Sequence, residues 1–223
     1  MNEAHDGLRR CIRTRRLGQR VLPAAHDAGV RYLAMEALDP AFAEEANGTR
    51  GVPSAAGGYL AQPELREFIA AALSLGWRLI RYEADYSLQP ARLARRSREA
   101  TNWREEQQAR NLLAALEVLP ADGRLLVWCG NHHLSKRSLD EEWLPMRCRF
   151  QQLSGIEPFA IDQIVSVKFG DREPYALQWV RSCATELEAS GGAAGFLREE
   201  APDDWPSPEI ADAFVLAVDN ALT

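Results

Sequence analysis

The sequence lacks any hydrophobic run long enough to cross a bilayer. Among its 223 residues no stretch approaches the ~20 consecutive apolar residues that a membrane helix needs, so we predict that the chain does not span a membrane. The first residues, MNEAHDGLRR, have no apolar core of the kind that signal peptides carry. Cysteine is scarce, and the wide spacing of its four copies indicates reduced thiols rather than a disulfide framework. The sequence therefore predicts a cytoplasmic protein.

Motifs for nucleotide binding and for serine hydrolysis are also missing. The chain contains no GxGxxG, no Walker GxxxxGKS/T and no GxSxG. Positive charge is in deficit as well, because 26 lysines and arginines face 32 acidic residues, which gives a net charge of −6. This balance argues against a nucleic acid or an anionic membrane surface as the partner.

Apolar runs alternate with helical patterns along the rest of the chain. Residues 30–36, 77–83, 124–129 and 212–218 are predicted to be strands. The alternation predicts one α/β domain over residues 1–223, with a mostly parallel central sheet and helices on both faces. Two segments are predicted to be loops, residues 44–60, which resemble an active-site lid, and residues 191–208.

Ionisable side chains follow three of the predicted strands. Glu36 closes the first, Glu83 closes the second, and His132 and His133 come after Gly130 at the end of the third. Because parallel strands end at one edge of a sheet, we expect these side chains to gather there. A single glutamate of this kind is more simply a solvated residue or the partner of an arginine. Several in one small domain favour a general acid/base or metal site, with His133 facing inward.

The charged segment 102–111 contains one further candidate. Its charges fall at i, i+4 spacings, such as Glu106 and Arg110, which is typical of a solvated helix face. In a second interpretation Arg104 reaches the strand ends and supplies a fixed positive charge for an oxyanion. The arginines before this helix are interpreted as a surface face, on which phosphate binding has little support in an acidic chain. They are Arg92, Arg95, Arg96 and Arg98.

A series of short motifs runs through nearly the whole chain: NEAH, YLAMEAL, LIRYEAD, TNWREEQQARNL, LLVWCGNHHLSK, and a closing GFL and ADAFVLAVDN. This series resembles the superfamily that joins erythromycin esterases, ChaN-type haem-binding proteins and the TraB/Tiki proteins. The resemblance matches the family's motif residues to Glu3, His5, Glu36, Arg104, Gly130 and His133. Asn2 stands where the first motif usually has glycine, and Gly130 stands where the esterase branch has a second histidine. A macrolide substrate is therefore not supported.

The first functional hypothesis is a hydrolase that acts on an ester or amide of a small molecule or a peptide. His5 or His133 would accept a proton from water, and Arg104 would stabilise the oxyanion. The carboxylates that would orient the histidine or hold a cation are Glu3, Glu36 and Glu83. The side chains that would bind Zn²⁺ or Mn²⁺, as the Tiki branch implies, are Glu3, His5 and His133.

The second hypothesis is a non-catalytic protein that binds haem or another small molecule, as the ChaN branch implies. Its candidate axial ligands are Tyr59, Tyr82 and Tyr86, with the 44–60 segment as a lid. These tyrosines lie at or near predicted strand ends or the predicted lid.

The position of NEAH raises a separate expectation. In a sheet of this kind the motif should follow a strand, as GNHH follows RLLVWC, yet Met1 directly precedes it. We therefore expect the central first strand to be missing, which would leave an exposed sheet edge.

Overall fold

The computed structural model describes residues 1–3, 8–36, 38–54, 57–95, 97–138, 142–163, 193–201, 203, 205 and 208–217. Its helices are α1 (Leu8–Asp27), α2 (Pro40–Thr49), α3 (Pro63–Ser74), α4 (Arg98–Glu117) and α5 (Met146–Ser154). Its strands are β1 (Asn2–Glu3), β2 (Val30–Met35), β3 (Arg78–Arg81), β4 (Arg124–Gly130), β5 (Ile161–Asp162), β6 (Ala193–Leu197) and β7 (Ala213–Ala217). Within these ranges, none of the helices has the length and apolar character needed to cross a membrane.

Four of the strands form a parallel sheet in the order β1-β4-β2-β3. A smaller sheet has the order β5-β7-β6, in which β6 is antiparallel to β7. The side chain of Asn2 links the two sheets, since it donates to Asp162 and accepts from the backbone N–H of Gln163 at 3.0 Å. Because the four strands of the larger sheet run in one direction, their carboxyl ends share one edge.

Helices cover both faces of the larger sheet, as the sequence predicts. Leu33 and Met35 of β2 pack in a core with side chains of α1, α2 and α3. Ala34, which points the opposite way, packs in a second core with side chains of α4 and α5. The apolar sequence of β2 follows from its burial on both sides.

A helix occupies part of the segment that was expected to be a lid. Residues 44–49 belong to α2, so the expectation of a continuous loop over residues 44–60 is wrong. Asp39 caps the helix by accepting hydrogen bonds from two backbone N–H groups of its first turn, at 2.8 and 3.2 Å. Phe42 and Ala46 are buried against the sheet, and this packing holds the helix in place.

Two other segments also differ from expectation. Part of the predicted loop 191–208 is the strand β6, because Phe196 packs against Trp205 and Phe214 with ring centroids 5.0 and 5.7 Å away. At the other end of the chain, the NEAH motif begins inside the sheet rather than after a strand. Its first two residues form β1, which pairs in parallel with the end of β4.

Candidate acid–base site

Four predicted side chains meet at the carboxyl edge of the parallel sheet. Glu36 directly follows β2, and Glu83 lies two residues beyond β3. His133 belongs to a 3₁₀ turn that continues β4, and it is buried. Arg104 comes from α4, which packs over the same sheet and reaches this edge with its first half. The topology thus brings together groups that are far apart in the sequence.

Arg104 lies between the two glutamates. Its Nε donates to Oε1 of Glu83 at 2.9 Å, and its Nη2 donates to Oε2 of Glu83 at 2.5 Å. Nη2 also donates to Oε1 of Glu36. The side chains of Glu36, Glu83 and Arg104 are 13%, 17% and 25% exposed, so water screens their attraction only in part. The two-pronged contact with Glu83 fixes the plane of the guanidinium.

Glu105 of α4 holds the imidazole ring of His133. Nδ1 of His133 lies 2.8 Å from Oε2 of Glu105, and Nε2 lies 3.5 Å from Oε1 of Glu36. Glu105 also accepts hydrogen bonds from Nε1 of Trp143 at 3.0 Å and from the first backbone N–H of α5 at 2.6 Å. One ring nitrogen is therefore committed to an orienting carboxylate, while the other faces the Glu36–Arg104 pair.

Hydrogen bonds and opposite charges set the protonation states. Burial alone would lower the pKa of His133, but the hydrogen bonds and charges of Glu105 and Glu36 raise that pKa to about 10. Burial alone would raise the pKa of Glu36, yet the hydrogen bonds and charges of His133 and Arg104 hold it well below its usual range. At neutral pH His133 is therefore an imidazolium ion beside an ionised Glu36.

Two supporting residues escape the sequence reasoning. The charge pattern of segment 102–111 suggests a solvated face, yet Glu105 and Gln108 are both 0% exposed. Nε2 of Gln108 donates to Oε1 of Glu83 at 3.0 Å. The sequence does contain a pattern that indicates their burial. The two residues lie seven and four positions before Leu112, which places them on the same buried stripe of the helix.

Glu3 lies in a second hydrogen-bond network, on the β1 side of β4. It is the last residue of β1 and is 0% exposed. Its carboxylate accepts from Nε of Arg15 at 2.9 Å, from Nε1 of Trp128 at 2.9 Å and from the hydroxyl of Tyr59. These bonds tie β1 to α1 and to the turn before α3. The acid/base role of Glu3 remains a prediction, and His5 lies outside the described residues.

The side chains seen at this edge do not fit a divalent cation. Within the described ranges, no group of three or more His, Cys, Asp or Glu side chains is arranged to hold a metal ion. The guanidinium of Arg104 lies between the two glutamates, where a cation would have to bind. Of the predicted ligands, Glu3 binds Arg15 and Trp128, His133 binds Glu105, and His5 lies outside the described residues, so the metal site on these three stays a prediction.

Of the tyrosines predicted as haem ligands, two are hydrogen-bonded to other residues and one is exposed. The hydroxyl of Tyr82 is buried and donates to the backbone oxygen of Trp128 at 2.9 Å, and that of Tyr59 donates to Glu3. Both hydroxyls donate to protein oxygens in this arrangement, and the haem-ligand role of the tyrosines stays a prediction. Tyr86 is 56% exposed and lines a cavity of about 650 Å³ beside Arg104.

Comparison with known proteins adds little to this geometry. No family model matches the chain, and no curated protein is similar to it. One solved structure of bacterial protein toxins is 15% identical with a TM-score of 0.45, and the match covers 67% of this chain and 31% of that one. The effector domain RRSP of a MARTX toxin from Vibrio vulnificus is 17% identical with a TM-score of 0.40, over 56% of this chain and 26% of that one.

The likeness to these toxins is distant. The chain spans less than a third of the length of either structure. A TM-score below about 0.5 at such identity carries no argument about activity, which must come from the site itself.

Proposed function

We propose that the chain is a hydrolase of the superfamily it resembles, acting on an ester or amide of a small molecule or a peptide. The observation that carries the proposal is the meeting of His133, Arg104, Glu36 and Glu83 at one edge of the parallel sheet, where Arg104 lines an open cavity. Ionisable groups with shifted pKa values, clustered at the carboxyl ends of parallel strands, are typical of catalytic sites.

His133 is the general acid in this proposal. Its pKa of about 10 keeps it charged at neutral pH, so Nε2 carries a proton that it can give to a leaving group. Glu105, bound to Nδ1, stabilises the charged ring and fixes its orientation. Oε1 of Glu36 lies 3.5 Å from Nε2 and Nη1 of Arg104 lies 3.4 Å from it, and the negative charge of Glu36 favours the protonated ring.

Arg104 stabilises the negative charge that develops on the substrate oxygen. Its side chain is 25% exposed and lines the cavity, so a substrate can approach it. The contacts with both glutamates hold the guanidinium in place before the reaction, and no reorganisation is needed at the transition state.

The attacking water needs a separate proton acceptor, since an imidazolium ion cannot accept a proton. His5, two residues after Glu3 in the sequence, is the candidate that the NEAH motif supplies. The proposal therefore gives the two histidines different roles, with His133 as acid and His5 as base.

Alanine replacement of each histidine tests the proposal. On a panel of generic aryl esters and peptides, the wild-type chain is expected to turn over at least one substrate. H133A and H5A are each expected to lose about 10²- to 10⁴-fold in rate, the usual contribution of a general acid or base. H26A is a matched control, because Nδ1 of His26 accepts from Nε1 of Trp77 at 3.0 Å in a structural contact.

Unchanged turnover in both H133A and H5A would contradict the proposal. A Soret shift on haem titration, without turnover of any substrate in the panel, would instead favour the ligand-binding hypothesis. Circular dichroism of each variant separates a lost catalytic group from a lost fold.

A further inference from the structure

We infer that the substrate carries an anionic oxygen group, a carboxylate or a phosphate, a short chain away from the bond that is cleaved. This inference rests on the proposed function and adds a substrate class to it. It is drawn from the segment beside Arg104 that supplies six of the cavity's lining residues, which we call the arginine wall and define as residues 86–95, 97 and 98.

The arginine wall is far more basic than the rest of the chain. It contains three arginines and no aspartate or glutamate, in a protein whose net charge is −6, and one of the three, Arg98, lies over the ring of Trp143 at 5.2 Å. Arg92 and Arg95 are exposed, and Arg95 lines the cavity together with Arg104. Among the described residues that line this cavity, none is acidic. Asp85 and Glu99 flank the arginine wall and are not among those lining residues.

The first turn of α4 adds to the positive potential. Ala100 and Thr101 line the cavity three and four residues after the N-cap Ser97. The N-terminal end of a 20-residue helix carries the positive end of its dipole, which favours an anion nearby. The helix and the arginines therefore act in the same direction.

Tyr86 links the arginine wall to the acid–base site. Its ring lies 6.3 Å from that of Trp103, centroid to centroid, and is 56% exposed. Tyr86, Arg95 and Arg104 line the same cavity. An anion held at Arg95 would therefore share that cavity with a carbonyl held at Arg104.

The acid–base site has no excess positive charge with which to hold a separate anion. Arg104 is bound by Glu36 and Glu83, and His133 by Glu105, so three carboxyl groups face two cations. A substrate with one anionic end and one neutral carbonyl is therefore oriented, with the anion at the arginine wall and the carbonyl at Arg104, which lines the same cavity.

A matched pair of substrates tests the inference. The anionic 4-nitrophenyl monoester of adipic acid is compared with neutral 4-nitrophenyl hexanoate, and a phosphonate of the same chain length distinguishes phosphate from carboxylate. If the panel shows cleavage of peptides only, the pair becomes two peptides with Asp or Asn next to the scissile bond. In wild type we expect kcat/KM to favour the anionic substrate about fivefold or more at low salt, because each exposed arginine facing an anion contributes about 1.5- to 5-fold.

The variant R92Q/R95Q is expected to lose this preference while keeping its rate on the neutral substrate. Salt at about 0.5 M should reduce the preference in wild type, since it screens exposed charges. R110Q is the matched control, because Arg110 is an exposed arginine of α4 that pairs with Glu106 and does not line the cavity. Equal kcat/KM for the two substrates, with clear turnover of both, overturns the inference and leaves the proposed function intact.

A binding measurement decides the inference even where turnover is absent. Ligand-observed NMR titration compares phenylacetate and phenylphosphonate with neutral phenylacetamide. Tighter binding of either anion to wild type, weakened in R92Q/R95Q and not in R110Q, supports the arginine wall. Binding of all three probes with equal affinity overturns it.

Discussion

Replacing Arg104 by methionine is expected to lower the free energy of unfolding by about 2–4 kcal/mol at pH 7. The variant leaves two carboxylates, 13% and 17% exposed, without the guanidinium that binds both. Removing one partner of a buried ion pair costs about 3–5 kcal/mol. Partial exposure reduces this cost, as does the hydrogen bond that Glu36 keeps with the backbone N–H of Gly130 at 2.7 Å.

A second arginine of the same helix provides the control. Arg110 is 56% exposed and pairs with Glu106 at 2.8 Å, so R110M is expected to lose less than about 0.5 kcal/mol. The deficit of R104M should also shrink as the pH falls from about 7 to 5. Without the guanidinium the two negative charges repel each other in the folded chain, and a lower pH relieves that repulsion, so the folded state gains stability as the pH falls.

Urea unfolding followed by tryptophan fluorescence and circular dichroism gives these values. Adding E83Q to R104M removes one of the two carboxylates left without Arg104 and should recover about 1 kcal/mol or more of the free energy of unfolding. A loss in R104M no larger than that in R110M would show that the Arg104 pairs contribute nothing measurable, and would refute the reasoning.

Two further predictions concern the pH dependence and the packing. Since the pKa of His133 is about 10 in the folded chain and about 6.5 when unfolded, its stabilisation is fully present below about pH 6.5 and falls by a few kcal/mol as the pH rises to about 10. Urea midpoints across that range should decline in wild type and stay flatter in H133A, and parallel curves would contradict this. An alanine at Gly18 would place its Cβ 2.6 Å from the ring of Trp128, which should cost about 1–3 kcal/mol. G48A meets no heavy atom within 4 Å and should be neutral or slightly stabilising, so equal thermal midpoints for the two variants would count against the packing described.

The parts of the fold that local patterns specify could be predicted from the sequence. Pro63 begins α3, and Gly76, which has a φ angle of +80°, lies just after its end. Both boundaries can be read from the sequence. The apolar run before Glu36 predicts a strand buried on both faces. Parallel strands then place Glu36 and Glu83 at one edge without any knowledge of tertiary contacts.

The partners of the site residues could not be predicted, because they come from distant parts of the chain. Glu105 is 28 residues from His133, and its burial is masked by charged neighbours. Arg15 is 12 residues from Glu3 and is one of six arginines in residues 8–20 of α1, which look like a solvated basic face. The loop prediction for residues 44–49, the end of α2, is wrong for a local reason, since Asn47, Gly48 and Thr49 are weak helix formers.

The protonation state of His133 tests its proposed role as general acid most directly. The chain contains four histidines, so ¹H–¹⁵N spectra of their rings can be assigned with H133A and followed from about pH 5 to 10. We predict that both ring nitrogens of His133 remain protonated through about pH 8 and that the ring titrates near pH 10. A midpoint near the ordinary value of about 6.5, with a neutral ring at pH 7.5, would contradict the charged acid on which the proposed hydrolase depends.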